Sequence, residues 1–112
     1  MMAYKGYYGS VHYSDEGQVF HGKIEFIRSL VSYEGTNVES LRTAFEEAVD
    51  DYIDLCKEGG KEPERPFKGS FNVRTGTDLH RRAALIAKAK GTNLNKIITD
   101  ALEKYLSAVQ GA

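Results

Sequence analysis

One segment of the chain cannot satisfy itself, and it constrains the fold more than any other. Residues 67–75 read as a strand, and two amphipathic helices follow with no second strand after them. In the stretch Ser70-Phe71-Asn72-Val73-Arg74, Phe71 and Val73 point one way and Ser70, Asn72 and Arg74 the other. Thr75 and Asp78 have capping-box spacing for the first helix, with Asp in place of the usual Glu. That helix is expected to run to about Lys90, with Leu79, Ala83, Ile86 and Ala87 inward and Gly91 as its stop. Asn93 is a good N-cap for the second helix, where Leu94, Ile97, Ile98, Ala101, Leu102, Tyr105 and Leu106 make one stripe. A lone strand leaves its backbone groups without partners, and two short helices bury little area. A second copy answers both needs: two strands pair antiparallel across a two-fold axis, and four helices share one core.

In such a dimer Phe71 and Val73 face the core, and Ser70, Asn72 and Arg74 form a doubled outward row. A two-stranded ribbon fits the major groove of B-DNA. Arg can bond guanine O6 and N7 together, Asn adenine N6 and N7, and Ser several base edges. The amides and positive dipole end of the helix that Asn93 opens suit a phosphate, and Lys96 adds charge in its first turn. Phosphate contacts of this kind would set the ribbon's register.

The preceding part reads as a separate α+β module. Residues 4–13 (YKGYYGSVHY) form a strand by composition, with Tyr7, Gly9, Val11 and Tyr13 on one face, and Ser14 to Gly17 is a turn. Residues 18–26 return, with Phe20, Gly22 and Ile24 on one face, and residues 30–34 are a third strand of an antiparallel meander. Thr36 and Glu39 have capping-box spacing for a helix whose apolar stripe is Val38, Leu41, Phe45, Ala48, Tyr52, Ile53 and Cys56. Its opposite face carries Glu46, Glu47, Asp50, Asp51, Asp54 and Glu58, and Gly59-Gly60 ends it. The expected division is 1–60 for this module, 61–66 (KEPERP) for a linker too rich in proline and charge to pack or pair well, and 67–112 for the strand and two helices. The first residues of the last strand are also available to the N-terminal sheet.

The net charge of −1 conceals a split: residues 1–66 hold 7 Lys and Arg against 13 Asp and Glu, and residues 67–112 hold 8 against 3. That pattern suits two modules with different partners, the basic one facing nucleic acid. No apolar run approaches the ~20 residues of a membrane span, the first ten residues lack a secretory apolar core, and a single cysteine excludes an internal disulfide. A cytoplasmic protein without membrane association is the expectation.

The order of FNVR, a helix, Gly-Thr-Asn-Leu-Asn and an apolar-striped helix resembles the ribbon-helix-helix family of DNA-binding repressors over residues 69–107. The resemblance implies base reading by Ser70, Asn72 and Arg74 and a backbone clamp at Asn93, Leu94 and Asn95, with Lys96 beside it. It departs at Gly76, where many relatives carry Pro. The N-terminal part, above all VSYEG and the acidic helix after it, is similar to the HicB antitoxin family in the subgroup with a ribbon-helix-helix tail. That resemblance implies a partial RNase H-like βββα(β) module, a HicA-like mRNA-cleaving toxin as partner, and repression of its own operon through operator DNA. An acidic module suits a basic nuclease by electrostatic complementarity. A homodimer is expected; whether dimers pair into tetramers is not set by the sequence.

Other readings compete. His12, His21, Asp15 and Glu16 lie on adjacent strands and their turn, where a metal or acid–base cluster could be drawn; surface or hydrogen-bonding roles account for them more simply. No catalytic residue, metal or cofactor is therefore expected. Cys56 reads as a small buried hydrophobe. Tyr4, Tyr7, Tyr8 and Tyr13 resemble a base-stacking platform, but tyrosines in a small sheet more often serve the core or an interface. The main functional rival is a stand-alone regulator whose N-terminal module senses a ligand.

Overall fold

The computed structural model describes residues 1–111, an α+β chain of five strands in two small sheets and three helices. It divides into two compact units, Met1–Phe71 and the remainder from Asn72.

In the first unit, strands β1 (Met2–Tyr4) and β2 (Tyr7–Gly9) form a hairpin in which Tyr4 faces Tyr7. Lys5 and Gly6 make its turn, both at positive φ (50° and 82°), as a two-residue turn matched to strand twist requires. The sequence reading has one strand over residues 4–13; the positive-φ pair is what folds its start back. Strands β3 (His12–Ser14), β4 (Val19–Lys23) and β5 (Ser32–Gly35) form the expected antiparallel meander, with His12 opposite His21 and His21 opposite Glu34. A bridge from Gly9 to Ile24 and the bond from the Ser10 amide to the Lys23 carbonyl (3.1 Å) carry the pairing past the bend between β2 and β3. The backbones close tightly there. A Cβ on Gly22 would run into the Ser10 carbonyl, and one on Gly9 into the Phe45 ring and the Tyr33 hydroxyl.

Helix α1 (Val38–Glu58) lies over this sheet. Its cap is one residue later than Thr36 and Glu39 suggest. Asn37 Oδ1 accepts from the Ser40 amide (2.7 Å), and Ser40 Oγ accepts from the Asn37 amide (3.1 Å). Asn holds this position because its short carboxamide reaches back onto the first turn from extended backbone (φ −150°). Leu41, Phe45, Val49 and Tyr52 are buried against Met2, Tyr7, Ile24 and Tyr33. Val38, expected on this stripe, is exposed because it opens the helix; Val49 takes a place in the core instead. Tyr33 Oη donates to the Ser10 carbonyl (2.8 Å), and burial pushes its pKa up to about 12. The helix ends at Gly59, as the Gly-Gly pair predicts.

Residues 61–66 correct the linker expectation. Pro66 is buried, and Glu64 is tied into the first unit at both backbone and side chain. The strand expected over residues 67–75 does not form: no residue from 61 to 76 belongs to a strand. Phe67 and Gly69 both have positive φ (60° and 92°), which breaks the extended run, and a strand needs a partner strand that this segment lacks within one chain.

The second unit holds helices α2 (Thr77–Ala89) and α3 (Leu94–Gln110), which pack on each other. The Thr75 cap is also corrected. Gly76 is the N-cap, without a side-chain hydrogen bond, at φ 85°. Proline is fixed near −65°, so this backbone excludes proline at the position and favours glycine. Asn93 caps α3 as expected, its Oδ1 accepting from the Lys96 amide (2.8 Å). Ala87 is the one fully buried apolar residue of this unit among those described.

Candidate nucleic-acid interface

Three exposed side chains, Ser70, Asn72 and Arg74, alternate in sequence with Phe71 and Val73 along a segment outside any helix or strand. Phe71 is 74% exposed and Val73 55% exposed, so the apolar members are as open to water as the polar ones. Each helix that follows is apolar on a face that water also reaches: Leu79, Leu85 and Ile86 on α2, and Leu102, Tyr105, Leu106 and Val109 on α3. Exposed apolar residues gathered along one element mark an interaction site.

At the start of α3, the amides of Leu94 and Asn95 belong to the first turn, which has no intrahelical partners. The Lys96 amide is occupied by the Asn93 side chain, so Lys96 can offer only its ammonium. That ammonium sits 2.9 Å from Asp100 one turn on, and the carboxylate raises its pKa. The four residues expected at the phosphate clamp thus share one helix end, with Asn93 serving as cap.

Upstream of residues 70–74 in the chain, the first unit holds an arrangement that the sequence does not announce. Glu64 accepts from the Arg28 amide (2.9 Å), the Ser29 amide (3.1 Å), the Ser29 hydroxyl (2.7 Å) and the Tyr52 hydroxyl (3.3 Å). Its own carbonyl accepts from Tyr7 Oη (2.6 Å), and its amide donates to Tyr52 Oη (3.0 Å). The Ser29 hydroxyl and these amides hold its carboxyl down to about 2. Phe67 then stacks on Phe26 (centroids 4.9 Å apart) and meets Tyr8 edge-on (5.5 Å). A strap thereby leads the chain from α1 to Ser70. No local signal in KEPERPFK marks Glu64 out, since its partners lie 12 to 57 residues away in sequence.

The competing constellations do not assemble. His12 and His21 stack across β3 and β4 (5.5 Å), and no group of three metal-ligating side chains occurs among the described residues. The four tyrosines do not form one platform. Tyr7 is in the core, Tyr4 bonds Asp50 (3.1 Å), Tyr8 meets Phe26 and Phe67, and Tyr13 tilts on Phe20. On the acidic face of α1, Asp50 pairs with Lys5 (2.7 Å). Cys56 is half-buried beside the core. Among the described residues, no helix is long and apolar enough to cross a membrane.

The family model described as HicB family matches residues 52–102, just under half of the chain. The match supports a HicB-family protein. No curated protein and no solved structure matches. The HicB match begins in the last turns of α1, crosses the strap, residues 70–74 and α2, and ends midway along α3.

Proposed function

We propose that this chain is a DNA-binding antitoxin. Two copies join their 70–74 segments into an antiparallel ribbon and their α2 and α3 helices into one ribbon-helix-helix core. The ribbon reads operator DNA through Ser70, Asn72 and Arg74. Asn93, Leu94, Asn95 and Lys96 hold the phosphate backbone beside it. The first unit neutralises a HicA-like, basic, mRNA-cleaving toxin, and the acidic face of α1 steers that partner.

One observation carries the reading. Three polar side chains fit for base edges alternate with an apolar pair that is exposed in the single chain, and the two helices that follow in sequence also expose apolar residues. One event, pairing with a second copy, covers Phe71, Val73 and both helix faces and turns Asn72 and Arg74 outward as a doubled row. The stretch that matches the HicB family model includes these residues.

The decisive test is Arg74→Ala, with affinity measured for duplex DNA from upstream of the reading frame. Loss of about 1–3 kcal/mol, with relaxed preference at one base position, is expected. Unchanged affinity and preference would refute base reading. For the partner, co-expression with a neighbouring short basic reading frame should restore growth, and a chain ending at Phe71 should still do so. Rescue by neither would remove the antitoxin assignment.

A further inference from the structure

The strap builds a second basic surface in the first unit, upstream of every residue so far assigned to DNA. Phe26, Phe67 and Phe71 line an open groove of about 460 Å³, and Arg28, Arg65 and Lys68 stand around it. All three cations are exposed. Arg65 is held over the Tyr7 ring, its guanidinium carbon 5.9 Å from the ring centroid. Lys68 follows Phe67, whose ring is fixed against Phe26 and Tyr8. The one carboxylate lining the groove, Glu64, spends its oxygens on the Arg28 and Ser29 amides and the Ser29 and Tyr52 hydroxyls.

Chain connectivity ties this groove to the ribbon without regard to how the two units are oriented. Ser70 itself lines it. Lys68 is four residues from Asn72 and Arg65 seven, so full extension limits the separations to about 14 Å and about 25 Å. Along one strand of B-DNA phosphates recur every ~3.4 Å of helix axis. Wherever Asn72 meets a base edge, Lys68 therefore stays within about four base pairs of it along the duplex and Arg65 within about seven, a reach that spans neighbouring phosphates.

We propose that Arg28, Arg65 and Lys68 form a second phosphate-contact surface for duplex DNA, which extends the operator footprint from the ribbon onto the N-terminal unit. This rests on the ribbon's reading of DNA proposed above. The surface adds affinity and salt dependence without sequence preference, because point cations on phosphates carry no base information. Its occupant is a duplex backbone: cations surround the groove beside a segment suited to a major groove.

The test measures binding constants of the full chain between 50 and 200 mM salt. The probes are the duplex from upstream of the reading frame, a scrambled duplex of equal length and the corresponding single strand. Lys68→Gln and Arg65→Gln are each expected to reduce the log–log salt slope on both duplexes by about 0.9, so that each variant loses roughly three- to fourfold less affinity over that salt range. Both duplexes should weaken by the same factor. Arg65→Lys keeps the charge and should restore the slope, which separates a phosphate contact from lost packing on Tyr7. Unchanged slopes in both variants, with Arg74→Ala still impaired, would overturn this surface and leave the ribbon reading intact. A slope that changes on the single strand alone would overturn the duplex assignment. No binding of any duplex by the unmodified chain would overturn both.

Discussion

Helices α1 and α3 carry nearly the same pattern and meet different fates. On α1, Leu41, Phe45, Val49 and Tyr52 recur at steps of three and four, and all four are buried under the chain's own sheet. On α3, Ile97, Ala101, Leu102, Tyr105 and Leu106 recur the same way, yet Leu102 is 41% exposed, Leu106 43% and no residue of the helix is buried. An apolar stripe states a need for a partner and does not say where the partner is. In the first unit five strands precede the helix and meet the need within one chain. The second unit has only a 13-residue helix and an unpaired segment to offer.

The largest effect that distinguishes the units is expected at Phe45. Phe45→Ala opens a cavity in a closed core and should cost about 3–5 kcal/mol of unfolding free energy, read from urea denaturation of the full chain. A cost near zero would mean that the α1 stripe is no better covered than that of α3. The counterpart is Leu102→Asp. In the shared core proposed here it places a carboxylate among apolar side chains and should weaken association by roughly 2–3 kcal/mol per copy, read by sedimentation. If the stripe stays in water, the same substitution changes little.

Next in size is Asn93→Ala. It removes the one side-chain cap of the second unit's helices and should cost about 1 kcal/mol in the stability of that unit, followed by circular dichroism. Subtlest is Glu64→Gln, which acts on the strap. The Glu64 carboxyl ordinarily titrates near 4.5 and is held at about 2 in the fold. A depressed folded-state pKa stabilises the fold fully above the ordinary value and is lost as pH falls through the folded one. The wild-type advantage over Glu64→Gln should therefore be complete at pH 7 and shrink between about 4.5 and about 2. Denaturation midpoints at pH 7 and pH 3 measure it; an equal gap at both would show that the charge contributes nothing.

Much of this was legible in the sequence because it depends on short-range rules. The β3-β4-β5 meander, the Gly59 stop of α1, and the Asn93 cap of α3 each follow from residues close together in the chain. What spacing alone does not fix has two physical origins. Spacing points to Thr36 and Thr75 as caps, while backbone geometry selects Asn37 and Gly76, one extended and one at positive φ. The composition of KEPERP suggests a mere linker because the partners of Glu64, namely Tyr7, Arg28, Ser29 and Tyr52, come from three distant parts of the chain. For the candidate site, the alternation of Ser70 to Arg74 was readable, but the basic groove behind it required the strap to be folded.

Whether the second unit is one half of a shared core is decided by sedimentation equilibrium of the full chain at micromolar concentration, paired with hydrogen exchange of residues 70–75. A two-copy particle is expected, with the amides of residues 70–75 protected and losing that protection on dilution to single chains. A one-copy particle with α2 and α3 fully protected would rule the shared core out.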